Sequence, residues 1–415
     1  MPADLVLTRG RICTLDPACP WAEAVAVQGG RIAALAPVRD LEPWTGPGTR
    51  TLDLEGRLVL PGFIDSHAQI IQGGRFLLDG RMDGPSAPRA AAEAALAAAA
   101  AHGVTTLHDV SGHLGLEAYR DLEREGRLTA RIAYFLPIPD VDGAGPLPEP
   151  GAGSARLRFA GLKGFIDGAL GARTAHFFEP YDDDPDTRGG FREQMFPEGA
   201  MAARLRRADA LGLQVALHAV GDRAVATVLD LAGEVAAAHG PRDRRWRIEH
   251  AQHLRPEDFA RMARLGLIAS VQPVSVLDDG CWAGARVGPR RLAGAYAFRS
   301  FLHAGVPMAF GSDWPGYPLD PILGIHAAVT RRTSDGQCPG GWIPDQKISL
   351  EAAIRAYTLG GAYAESAEGD KGSITPGKLA DLVVLDRNLF ELPPPEIREA
   401  RVAATICGGA VVFQA

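Results

Sequence analysis

Residues 61–70 read PGFIDSHAQI. The apolar run opened by Pro61 and Gly62 and closed by polar residues has the texture of a buried β-strand. Side chains two apart on a strand share a face, so His67 and Gln69 point the same way and could hold one metal ion between them. The fold then depends on whether such strands recur, and the chemistry on which residues end them.

They recur. After LVLPGFIDSH (58–67) come VTTLHDV (104–110), RIAYFLPI (131–138), LRFAGLKGFID (157–167), LQVALHAV (213–220), WRIEHAQ (246–252), GLIASVQP (266–273) and VPMAFGSD (306–313), most followed by helical stretches. Alternating β and α units predict a parallel sheet, and eight of them between residues 61 and 364 predict a TIM (β/α)8 barrel. Segments 174–199 and 314–348 are polar, turn-rich insertions after strands four and eight, expected to hang over the C-terminal mouth. AAAEAALAAAAAHG (90–103) reads as an Ala-rich helix stopped by Gly103. Residues 1–60 and 365–415 instead alternate short apolar runs with Gly-containing turns, so the two ends are expected to pair into a composite β-sandwich.

Composition narrows the function classes. The chain has 415 residues, 46% of them apolar, which is enough for a large core. Its net charge of −7 is spread along the sequence, with no Lys/Arg block to suggest a nucleic-acid surface. Five scattered cysteines, none in a C-x-x-C spacing, predict neither a disulfide framework nor a thiolate metal knuckle. No signal-like start and no long uncharged apolar run is seen, so no membrane partner and a cytoplasmic location are the expectations.

The strand ends carry the chemistry. His67 closes strand one, Lys163 lies in strand four, and His218, His250 and Asp313 close strands five, six and eight. A barrel brings all five to one rim, and the spacing agrees: His218 and His250 lie one βα unit apart, His250 and Asp313 two. A lone histidine on an apolar strand is usually a satisfied core residue; five residues in register reverse that reading. His102 and His239, each before Gly at a helix end, read as structural. Asp222 is expected to cap the helix that starts at Arg223.

The motifs PGFIDSH, KGFIDGALGARTA, HAVGDRA, RIEHAQ, FGSDWP and KGSITPGKLADLVVLD together resemble the amidohydrolase superfamily, specifically its family-three branch of YtcJ-like and N-substituted formamide deformylase-like metal-dependent hydrolases. The resemblance implies one or two divalent metal ions, with zinc the expected ion. It implies His67, the residue at 69 and Asp313 on one metal, His218 and His250 on the other, and Lys163 bridging as a carbamate formed with carbon dioxide. Burial would lower the lysine pKa enough for the neutral amine to react. Asp313 would be the general base that takes a proton from the attacking water and returns it to the leaving nitrogen.

The family pattern has a second histidine where Gln69 stands. A neutral amide oxygen is the weaker zinc ligand, so the expectation is one metal on Lys163, His218 and His250, with Gln69 contacting water or substrate. Arg173 and Trp314, on mouth loops, are candidates for substrate contact. The implied function is hydrolysis of a C–N bond in a small amide or N-substituted formamide. The alternatives are an ester, lactone or cyclic ureide hydrolase, and a non-catalytic metal- or ligand-binding protein disabled by Gln69. A small-molecule substrate and a homodimer complete the expectations.

Overall fold

The computed structural model describes residues 2–143 and 145–415; Met1 and Ala144 lie outside the described residues. Eight strands form one parallel sheet, paired in chain order: β1 (Phe63–Ala68), β2 (Val104–Asp109), β3 (Arg131–Pro137), β4 (Leu157–Phe165), β5 (Val215–Ala219), β6 (Arg247–His250), β7 (Ile268–Val271) and β8 (Met308–Phe310). β2, β3 and β7 are buried along nearly their whole length, as strands covered on both faces are. The Ala-rich segment forms the helix Pro88–Ala101, and Gly103 follows with φ +75°, a value glycine adopts without strain.

The barrel closes through a short seam just past the ends of its first and last strands. Asp313 N–H donates to the His67 carbonyl at 2.8 Å, and Gln69 N–H to the Trp314 carbonyl at 2.8 Å. Inside the seam the buried Asp65 accepts the backbone N–H of His67 and that of Ser312 on one oxygen, both at 3.0 Å. Gly311 permits the approach: a Cβ there would sit 2.5 Å from the His67 nitrogen.

The run 58–67, expected as one strand, is two. Leu58–Pro61 belongs to a six-stranded sheet, and the chain crosses into the barrel at Gly62, where a Cβ would fall 2.3 Å from the Thr105 hydroxyl. That sheet runs Ala410–Gln414, Val402–Cys407, Leu382–Leu385, Leu58–Pro61, Arg11–Cys13 and Trp21–Ala22, so it mixes strands from both chain ends. A four-stranded sheet of Arg31–Ala36, Ala24–Gln28, Leu5–Thr8 and Arg50–Asp53 accompanies it. Leu7, Val25, Val59, Leu382 and Ile406 share a separate apolar core. Segment 314–348, read as turn-rich, also contains the helix Pro321–Thr330, which Asp320 caps by accepting the Leu323 N–H at 3.0 Å.

One buried ion pair joins sandwich to barrel. Arg131, at the start of β3, donates Nε and Nη2 to the two Asp381 oxygens at 2.7 and 2.9 Å, and Nη1 to the Ala155 carbonyl at 2.7 Å. Gly408 N–H also donates to Asp381, at 2.7 Å, and both charged side chains are only 5% exposed. Removing one charge strands the other in a site water does not reach, whereas replacing both removes the desolvation cost as well. Asp381→Asn is expected to lower unfolding stability by about 3–5 kcal/mol in a denaturant titration. The double variant Arg131→Met/Asp381→Leu should lose distinctly less, and an unaltered midpoint in Asp381→Asn would rule the clamp out.

Candidate active site

The C-terminal ends of the strands bring the predicted rim residues together. His67 and His250 have ring centroids 5.0 Å apart, His218 and His250 4.4 Å. His67 Nε2 lies 3.4 Å from Asp313 Oδ1. His67, His250 and Asp313 each offer a donor atom, and the three atoms lie within 4.8 Å of one another. His218 sits outside that trio and turns Nε2 to the Gly168 carbonyl at 3.0 Å. The grouping therefore cuts across the two ligand sets the resemblance implied, taking His250 together with His67 and Asp313.

A cavity of about 330 Å³ opens onto His218, His250 and Asp313, walled by Gln252, Gln272, Asp279, Trp282 and Tyr317. A larger cavity, about 640 Å³, lies beside Phe178, His253, Arg255 and Arg291. None of the rim residues lines it, so the smaller cavity is the candidate site.

Local backbone geometry aims these groups. His250 and Asp313 have φ of +72° and +58°, and Ala251 has +39°, in the left-handed region that non-glycine residues avoid. Such conformations cost about 1–3 kcal/mol each and persist where surrounding structure enforces them. For Asp313 the enforcement is visible: its N–H is held by His67 and its carbonyl accepts the Gly316 N–H at 2.8 Å. The turn swings the carboxylate out of the strand direction and toward His67.

Burial governs the electrostatics. Lys163 is 2% exposed, and its amine has no hydrogen-bond partner among the described residues. Burial pushes its pKa down to about 8, against the opposing pull of the Glu249 and Asp313 carboxylates. Burial likewise lowers His250 to about 4, and holds His218 well below the usual range with help from His250 and Lys163. His67 is opposite: burial lowers it, but Glu249 at Nδ1 and Asp313 at Nε2 outweigh that and raise it. Asp313, despite burial, is held far below the ordinary carboxylate range by His67, His250 and His218.

Other expected residues go elsewhere. β1 ends at Ala68, and Gln69 (φ −112°, ψ 83°) stands between it and the helix Ile70–Asp79. Arg173 donates Nε and Nη2 to Asp183 at 3.2 and 2.9 Å, which ties its guanidinium to the loop after β4. Trp314 is 6% exposed and its ring packs on Gly73, where a Cβ would lie 2.1 Å from it. Asp222 does not cap its helix; Gly221 occupies that position, and Asp222 accepts the Phe178 N–H at 3.0 Å.

Four buried residues that hold the site were not singled out from sequence. Asp65 clasps the seam, and Asp167 accepts the N–H groups of His176, Val220 and Gly221 at 2.8, 3.0 and 2.8 Å, fixing the loop after His218. Glu249 and Arg247 pair at 2.7 Å behind His67, with both side chains fully buried. The last two did leave a signal. In WRIEHAQ two charges alternate along a strand that must be covered on both faces, which requires them to meet partners inside the barrel.

Comparison with known proteins agrees with this architecture. The chain is 30% identical to Protein LONG AFTER FAR-RED 3 of Arabidopsis thaliana over 99% of this chain and 92% of that protein. It is 32% identical to the N-substituted formamide deformylase of Arthrobacter pascens over 50% of this chain and 38% of that enzyme. The crystal structure of an uncharacterized metal-dependent hydrolase from Pyrococcus furiosus superposes with a TM-score of 0.78 at 26% identity, over 94% of this chain and 99% of that one. A family model described as the amidohydrolase family matches residues 77–413. With the barrel, the composite sandwich and the rim residues already in place, that match makes the chain a member of the amidohydrolase family and a hydrolase acting on carbon–nitrogen bonds.

Proposed function

We propose that the protein hydrolyses a small amide or N-substituted formamide with the help of one divalent metal ion, zinc by preference, held by His67, His250 and Asp313. The observation that carries this reading is the trio itself: two imidazoles and a carboxylate with donor atoms within 4.8 Å of one another at the mouth of a barrel. The donor set suits zinc, which takes nitrogen and carboxylate ligands in sites that keep a position open. His67 fits the same reading, because its ring lies between the buried Glu249 carboxylate and the cavity-facing Asp313 carboxylate, and a cation at Nε2 would offset their charge.

Lys163 supplies a second fit. A buried amine without a hydrogen-bond partner among the described residues, its pKa brought down to about 8, is partly neutral near neutral pH. We propose that its nitrogen adds to carbon dioxide, losing a proton, to give a carbamate that offers an anionic oxygen to the same site. The deformylase relative supports the formamide class, and the metal-dependent hydrolase from Pyrococcus furiosus supports the metal.

When bound, such an ion supplies Lewis acidity, making water nucleophilic near neutral pH and polarising a carbonyl. The chain's own residues do the rest. Asp313 is held as the anion chiefly by His67, whose Nε2 faces its carboxylate. Its side chain is 23% exposed, open to the cavity as well as to His67. It takes the proton of the attacking water as the new C–O bond forms, then delivers it to the nitrogen as the C–N bond breaks. One carboxylate so serves attack and departure, which an amide with a poor leaving group requires. His218, held neutral and fixed by Gly168, lines the cavity beside His250 as a hydrogen-bonding wall.

Elemental analysis of protein expressed with zinc and bicarbonate should find about one ion per chain, the stoichiometry of a single mixed nitrogen–oxygen site. No ion would sink the reading, and two would require Lys163 and His218 to build a second site. Asp313→Asn should lower kcat on an N-substituted formamide by about 10²–10⁴, the usual worth of a positioned general acid–base. A matched ester series tests substrate class: ester turnover without amide turnover would replace the C–N assignment.

A further inference from the structure

The polar groups behind His67 stack into a buried column. His67 Nδ1 meets one Glu249 oxygen, which also accepts the Ser270 hydroxyl at 2.8 Å, and Arg247 Nε donates to the other at 2.7 Å. Arg247 also donates to the Ser66 carbonyl, to Ser270 Oγ at 3.0 Å and to His108 Nδ1 at 2.9 Å. With Nδ1 of His108 accepting, its Nε2 carries the proton and faces Glu365 at 3.3 Å. Glu365 is paired in turn with Lys371 at 2.6 Å. Every member is inside the protein, with Glu249, Arg247 and His108 side chains wholly covered.

The order of charges says what the column does. Two ion pairs, Glu249–Arg247 and Glu365–Lys371, flank a neutral imidazole, so it is electroneutral as a whole. A guanidinium keeps its protons at any physiological pH, so Arg247 blocks proton passage between the two ends. The column therefore transmits position. Both Glu249 oxygens are fixed, one by Arg247 and one by Ser270, before His67 reaches them.

We propose that Glu249, locked by Arg247 and Ser270, is the positioning residue for the metal-binding histidine: it takes the Nδ1–H of His67 and so presents Nε2 to His250 and Asp313. A neutral imidazole has one N–H, and whichever nitrogen donates leaves the other as the ligand. A buried carboxylate on Nδ1 makes that choice, as outer hydrogen-bond partners of metal ligands commonly do. The assignment also gives Gln69 a context. With no second imidazole two residues on, the strand-one contribution rests on His67 alone, and its ring is held from behind.

This inference rests on the proposed metal site, and its test separates the two. Zinc affinity by chelator competition, and the ¹⁵N signature of His67, are measured on wild type, Glu249→Gln and Glu249→Leu, with the His67 signal identified by its loss in His67→Ala. Wild type should show His67 protonated at Nδ1. Both variants should bind zinc about 10–100-fold more weakly, with Glu249→Gln the less impaired because its amide oxygen still accepts from Nδ1. In both, the metal-free protein should show a shifted tautomer balance at His67. Wild-type zinc affinity and an unchanged His67 signature in Glu249→Gln would overturn the proposal, leaving Glu249 a packing residue. If wild type itself binds no zinc, the metal reading fails, and the tautomer signature of the metal-free proteins alone decides for or against Glu249.

Discussion

The hydrogen bond from Asp313 N–H to the His67 carbonyl is the point on which the molecule turns. A parallel barrel has to join its first strand to its last, and here the joining segment is also the reactive one. Asp65 collects a backbone N–H from each side of the seam, and Gly311 lets the two backbones approach. Asp313 is left with a left-handed backbone that directs its carboxylate at the ring of the residue it has just bonded. Closure and site geometry are thus one set of contacts, so disturbing either disturbs both.

Much of this was legible in the sequence because a barrel converts spacing into place. Once eight β-rich runs are recognised, every strand end belongs to one rim, and His67, Lys163, His218, His250 and Asp313 need no further information to be gathered there. What spacing does not show is where a strand stops: β1 ends at Ala68, and Gln69, its N–H on the Trp314 carbonyl, stands directly before the helix Ile70–Asp79. The same limit explains the split of 58–67 at Gly62, since periodicity does not show which of two sheets a run joins.

Loop residues were harder still. Arg173 and Asp222 each have a chemistry that fits substrate or helix, and the partner that claims them, Asp183 or the Phe178 backbone, is set by how distant loops lie together. Glu249 and Arg247 were hidden for another reason. They stand one residue apart beside His250, and only their charge alternation along a covered strand marks them in the sequence. Buried ion pairs are weak sources of stability, because desolvating two charges offsets much of their attraction. Two such pairs in one column therefore point to geometric control rather than to strength.

The composite sandwich bears on how the chain can be divided. Its six-stranded sheet needs Leu58–Pro61 from before the barrel and Leu382–Leu385 and Val402–Cys407 from after it. A growing polypeptide can therefore lay down all eight barrel strands and still lack the Asp381 that Arg131 is waiting for. An excised barrel would carry the same exposed guanidinium and an uncovered floor. The catalytic body is thus not a transplantable module: its boundary in space encloses a unit that no single cut segment of the sequence contains.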